Sequence, residues 1–378
     1  MTSHLPPFVP GLQLSERFFH AAVRPILDRR FPGLMYSAGE LGSGSDVLGF
    51  DDAQSRDHGW GPRVTLFLDE ADFVEQGAAI LERMGHDLPP EVDGYPTHFT
   101  DPQLKGAGLE YREERPIQHG VRVTTFSRFT TEYLGVDAAR PVGEMDWLAI
   151  PSQHLRTVRA GRVFHDGLGV EAARARLRWY PRDVWIYRMA CQWTRIGQEE
   201  AFVGRCGDVD DELGSRLVAA RLGMDVMRLC FLLEREYAPY SKWFGTAFAR
   251  LTCAGVVAPA VNAALSARHW PAREAALAPA YLCAGEMHNA LGLTEPLEVR
   301  MAPFHGRPYH VPHADRFAAA LFDAIRSERL RVLPPVGAID QLADSTDVLA
   351  HPDRMRALAA VYGAAPAPAR VAQVEADA

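Results

Sequence analysis

Apolar residues recur with two different periods along this chain, and the change from one to the other divides it. From Ser15, an N-cap residue, to Arg30 the positions Phe18, Phe19, Ala22, Ile26 and Leu27 follow a helical spacing that Pro32-Gly33 ends. Leu34 to Leu41 reads as a strand, and Val64 to Leu68, rich in β-branched and aromatic residues, reads as a second. Glu70 to Met84 carries Phe73, Ala78, Ile80, Leu81 and Met84 and predicts another helix, and Gly120 to Phe126 alternates like a half-buried strand. The proline-rich residues 1–13 predict a loosely held arm, and 86–118, dominated by proline, glycine and charge, predicts no regular element. From Glu144 onward helical patterns take over. Asp183 to Glu200 places Ile186, Met189, Ala190, Trp193 and Ile196 on one stripe. Leu213, Leu217, Ala220, Met224, Met227 and Phe231 follow the spacing of a helix packed along another, with Arg221, Asp225, Arg228 and Arg235 on the opposite side. Further helices are predicted at about 243–255, 274–290, 314–327 and 351–362. The reading is an α+β protein: an N-terminal α/β domain with a mixed sheet over 14–148, an all-helical domain over 149–363, and a disordered tail over 364–378 whose composition is low in complexity.

Between the first two strands lies a stretch that suits neither helix nor strand. Residues 41–63 hold Gly42, Gly44, Gly49, Gly59 and Gly61 among Ser43, Ser45, Asp46, Asp51, Asp52 and Asp57. Glycines let backbone N–H groups approach an anion closely, the hydroxyls of Ser43 and Ser45 add donors, and a nearby carboxylate suits the divalent cation that such an anion brings. This combination describes a nucleoside triphosphate site.

Gly44-Ser45 with Gly49, followed by Ser55 and Asp57, resembles the signature of the polymerase-beta type nucleotidyltransferase superfamily, a Gly-Ser turn and then an Asp-x-Asp pair on the next strand. The longer run through Asp57-His58 and Trp60-Gly61-Pro62-Arg63, together with Pro239 to Gly245, is similar to a narrower bacterial group, domain of unknown function family 4037. The resemblance implies transfer of a nucleoside monophosphate from a nucleoside triphosphate, with Mg²⁺, onto a hydroxyl of an unidentified small molecule or macromolecule. Ser43, Gly44, Ser45 and Gly49 would hold the phosphates, with Lys242 as a point charge, and Asp57 the metal. A carboxylate of the helical half would act as general base, a role that falls to Glu200 or Glu199 at the end of the tryptophan-bearing helix. The sequence departs from the pattern at Gly59, where the second aspartate of the pair is expected, and at Arg122, on the strand expected to carry a third carboxylate. Asp52 is then a candidate to supply a missing oxygen. The departures keep open an alternative, a nucleotide-binding pseudoenzyme or regulatory protein without transfer, and a third reading, an interaction protein built on the helical half. His305, His310, His313 and Asp315 form a weaker metal candidate in one loop.

Composition narrows the partners. Forty basic and 48 acidic side chains give a formal net charge of −8, which argues against general nucleic-acid binding. The five scattered cysteines suggest neither a disulfide framework nor a zinc site and read as thiols of a reducing cytoplasm. The first residues lack a basic region followed by an apolar core, and nowhere does an apolar run reach the ~18 residues that a membrane span needs, so neither export nor membrane insertion is expected.

Overall fold

The computed structural model describes residues 6–57, 59–101 and 108–363, the side chain of Asp57 excepted. The predicted tail over 364–378 lies outside the described residues. The chain divides into two compact units, one of residues 1–142 and 153–178 and the other of 143–152 and 179–378. A mixed sheet in the first and helices in the second make the architecture α+β.

In the first unit, helices α1 (Gly11–Phe18) and α2 (Arg24–Arg30) are joined by a π-helical turn, Phe19–Val23. The wider turn lets the neighbours Phe18 and Phe19 both bury completely along with Val23. From Pro6 onward the N-terminal segment is held, which corrects the expectation of a loose arm there: Phe8 stacks on Trp60 at 5.8 Å, the Tyr95 hydroxyl donates to the Pro7 carbonyl at 2.5 Å, and the helix starts at Gly11 rather than after Ser15. A four-stranded sheet follows, of order β3-β2-β1-β4, with β1 at Ser37–Glu40, β2 at Arg63–Phe67, β3 at Gly120–Thr124 and β4 at Arg162–Asp166. β1 is antiparallel to β2 and β4, while β2 and β3 run parallel. Ala38, Val64, Leu66, Val121 and Val123 join a core with Phe18, Phe19, Ile26 and Leu27 and with Ile80 and Met84 of α3 (Glu70–Asp87). The opposite positions Gly39, Thr65 and Arg122 lie in register across three strands, and Phe67 there meets Phe129 of α4 (Phe126–Leu134) edge to face at 5.4 Å.

Strand β4 overturns the expectation that everything after Glu144 is helical. Its sequence, Arg162 to Asp166, has no buried residue and stands at the sheet edge, so it carries little of the alternation that marks a half-buried strand. The irregular span 86–118 contains two-residue strands, Glu91–Val92 with Tyr95–Pro96 and His98–Phe99 with Leu109–Glu110.

The second unit centres on α5 (Arg182–Glu199), where the predicted stripe Ile186, Met189, Ala190, Trp193 and Ile196 is buried, as are Tyr187, Arg188, Cys191 and Gln192. A helix buried on nearly all sides is central to its bundle. The next long helix, α6 (Glu212–Leu233), is turned relative to expectation. Leu213 and Leu217 are 67% and 64% exposed, while Ala219, Leu222, Val226, Leu229 and Leu233 face inward together with Asp225. Both stripes satisfy the same spacing; the inner one is possible because the Asp225 carboxylate accepts from Gln192 Nε2 at 3.0 Å and Arg195 Nε at 3.2 Å. The helix predicted over 243–255 is broken into Ser241–Phe248 and α7 (Ala254–Ser266), since Glu234 accepts from the N–H groups of Thr252 and Cys253, each at 2.8 Å, and caps the second piece. Helices α8 (Trp270–Ala290) and α9 (Ala314–Asp323) complete the packing around α5 and α6.

Candidate functional site

The loop between β1 and β2 is built from local hydrogen bonds. Gly42 N–H donates to the Thr157 carbonyl at 3.2 Å and Ser43 N–H to the Tyr133 hydroxyl at 3.5 Å. The chain then makes one helical turn, with Leu48 N–H on the Gly44 carbonyl at 3.2 Å and Phe50 N–H on the Ser45 carbonyl at 2.8 Å. As at the start of any helical turn, the first N–H groups are left over. Those of Gly44, Ser45, Asp46 and Val47, and the hydroxyls of Ser43 and Ser45, have no partner among the described residues. Gly44 is required there: its φ is +146°, and a Cβ would run into the Asp46 carboxylate folded beneath it.

The carboxylates of the loop have other attachments. Asp46 Oδ2 accepts from Arg63 Nη2 at 2.7 Å, and the same nitrogen lies 3.0 Å from Glu40 Oε1 at the end of β1, so one guanidinium serves two carboxylates that are nearly inaccessible to water. Burial pushes the Glu40 carboxyl up to about 7; Arg63 draws it down and the Asp46 charge pushes it further up. Asp51 accepts from Gly11 N–H at 2.7 Å and Trp60 Nε1 at 3.0 Å and so ties α1 to the loop. Asp52 Oδ1 accepts from the N–H groups of Gln54 and Ser55 at 2.9 and 3.1 Å, capping the 3₁₀ turn Ala53–Asp57. Within that turn the Arg56 guanidinium lies among the rings of Phe8, Trp60 and Tyr95, 5.3 to 5.8 Å from their centroids.

The side chain of Asp57, the expected metal ligand, lies outside the described residues. Its backbone closes the 3₁₀ turn, and β2 begins only at Arg63, so Asp57 and Gly59 precede the strand instead of riding on it. Gly59, at φ +62°, and Gly61, at +155°, interrupt the extension that an Asp-x-Asp pair on one strand requires. Arg122 lies beside Thr65 in the parallel register, over the ring of Phe129 at 5.8 Å and ion-paired with Glu132. Among the described residues no group of three His, Cys, Asp or Glu side chains comes together to hold a metal, and His305, His310, His313 and Asp315 form no such group.

In the helical unit Glu200 follows α5 and is buried. Its Oε2 accepts from Ala314 N–H at 3.0 Å, at the start of α9, and burial, aided by the neighbouring Asp315 charge, raises the carboxyl to about 8 against the pull of that hydrogen bond. Glu199 points elsewhere, to Arg221 at 3.0 Å. Lys242 is exposed, its Nζ over the ring of Trp243 at 4.9 Å. Sequence reasoning missed a heavily partnered group of this unit, Asp340. It takes both oxygens to Arg188 Nη2, at 2.8 and 3.0 Å, and accepts from Ser152 N–H at 3.0 Å and Ser152 Oγ at 2.5 Å. The available signal was Arg188 and Gln192, two polar residues an i, i+4 step apart inside an otherwise apolar helix.

Among the described residues no helix is long and apolar enough to cross a membrane. No curated protein and no solved structure matches the chain. Residues 147–244, which include α5, α6 and Lys242, match the model of the family described as Domain of unknown function (DUF4037), the family that the sequence resembles.

Proposed function

We propose that the turn from Ser43 to Val47 binds the phosphate oxygens of a nucleotide and that the nucleotide is held without being transferred. The observation that carries the reading is the run of four successive N–H groups, Gly44 to Val47, with the flanking hydroxyls of Ser43 and Ser45, all without partners among the described residues. Such donors suit an anion. A two-metal centre does not fit the same place, because Gly59 and Arg122 stand where carboxylates are needed, while Asp46, Asp51 and Asp52 are engaged by Arg63, by Gly11 and Trp60, and by the 3₁₀ turn. The resemblance leaves Asp57 as the carboxylate for a single Mg²⁺. Glu40 and Asp46 oppose one Arg63, so phosphate binding is expected to favour protonated Glu40 and to weaken as the pH rises through about 7.

Isothermal titration with ATP, GTP, CTP and UTP, with and without Mg²⁺, tests this. At a hundred times the dissociation constant a bound nucleotide adds about 2.7 kcal/mol of stability. Absence of binding by every nucleotide would sink the proposal, and unchanged Mg²⁺ dependence in Asp57→Ala would remove the metal from it. One observation favours a second reading, transfer: the Glu200 carboxyl raised to about 8 is suited to general-base work. Sustained release of pyrophosphate by the native protein, lost in Glu200→Gln, would replace the first reading by the second.

A further inference from the structure

The helical unit holds a second set of unanswered donors, all within one aromatic cluster. The ring of Tyr180 lies 4.9 Å from Trp179, 5.0 Å from Tyr237 and 5.7 Å from Trp147, and the Arg188 guanidinium stands over it at 4.5 Å. Asp340 takes Arg188 Nη2 alone. Arg188 Nε and Nη1, Tyr180 Oη and Trp179 Nε1 are buried and have no hydrogen-bond partner among the described residues. Arg188 itself is 2% exposed. Each of these groups offers a hydrogen, and three side chains supply them. A folded protein leaves few such groups unanswered, and a buried guanidinium least of all.

The charge balance points the same way. Asp340 is matched by Arg188 and Asp225 by Arg195, and Arg228 acts on Asp340 as a further cation, so among these five groups the cations outnumber the acids by one. Water would answer the geometry but not the charge; an oxyanion answers both. The cluster reaches the surface at Trp179, which is half-buried.

We propose that Arg188, Tyr180 and Trp179 form a binding site for a small molecule bearing an oxyanion, carboxylate or phosphate, in the helical unit. Aromatic walls suit a flat organic body beside the charged group. The site is independent of the nucleotide reading, since all its residues belong to the helical unit.

The test titrates the full chain with inorganic phosphate, acetate and benzoate at constant ionic strength in chloride, by calorimetry and tryptophan fluorescence. Saturable binding with a fluorescence change is expected; benzoate tighter than acetate identifies an aromatic carboxylate, and phosphate tighter than both identifies a phosphate ester. Tyr180→Phe keeps the ring and removes one donor, and is expected to weaken the anion about tenfold, in keeping with one hydrogen bond to a charged acceptor. Trp179→Phe is expected to abolish the fluorescence change. Failure of all three anions to bind saturably, or equal affinity in Tyr180→Phe and the native protein, would overturn the proposal.

Discussion

Arg63 in the sheet unit, half-buried, and Arg188 in the helical unit, buried, are both arginines paired with acids, and their surroundings are unbalanced in opposite directions. Arg63 faces two carboxylates, Glu40 and Asp46, so negative charge is in excess and the Glu40 carboxyl rises to about 7. Arg188 faces one, and Asp340 is held below the ordinary carboxylate range, against its burial, by Arg188, by Ser152 and by Arg228. In the first place a proton can settle the surplus; in the second, donors are left over and only an acceptor from elsewhere can. A buried ion pair is therefore informative less for its strength than for what it leaves unpaired.

The largest effect expected from breaking this contrast is that of Asp340→Ala. It strands a buried guanidinium and is predicted to destabilise the protein by about 3–5 kcal/mol in urea unfolding. Asp46→Ala leaves Arg63 its other carboxylate and relieves the repulsion on Glu40, so the cost is predicted at about 1–2 kcal/mol. Equal losses at the two sites would erase the distinction.

Titration sharpens the contrast next. The folded state holds protons on Glu40 and Glu200 at pH values where the unfolded chain has already released them. Stability is thus predicted to fall as the pH rises from the ordinary glutamate value, about 4.3, through 7 to about 8. Asp340 acts in the other sense: its contribution is present above the ordinary aspartate range and is lost as the pH falls through its lowered folded value. Melting temperatures across this interval should show a slope that flattens in Glu200→Gln, and an unchanged slope would mean that Glu200 ionises normally. Asp46→Asn should bring the Glu40 titration down, as followed by carboxyl infrared bands.

The smallest predicted effect concerns Asp52. If its carboxylate is chiefly the cap of the 3₁₀ turn, Asp52→Ala should lower stability by about 1 kcal/mol and leave any Mg²⁺ dependence of nucleotide binding as it was. A lost metal dependence would restore Asp52 as a ligand.

Features set by neighbours along the chain were legible in the sequence. The stripe from Ile186 to Ile196 is buried as its spacing implies, and β2 and β3 fall where β-branched residues cluster. The glycine and serine loop between the first two strands likewise declares itself, because a turn with φ +146° at Gly44 is a demand on one residue. What remained hidden depends on partners distant in sequence. Two stripes on α6 meet the same periodicity, and only the amide of Gln192 and the guanidinium of Arg195 decide that the one containing Asp225 turns inward. The edge strand β4 becomes a strand because β1 offers it a hydrogen-bonding edge; its own residues do not require one. Glu40 and Arg188 are, in sequence, an acid after a glycine and a base within an apolar helix. Their unusual character comes from Asp46 and Arg63 across a loop, and from Asp340, 152 residues away, because desolvation and charge act through space and not along the chain.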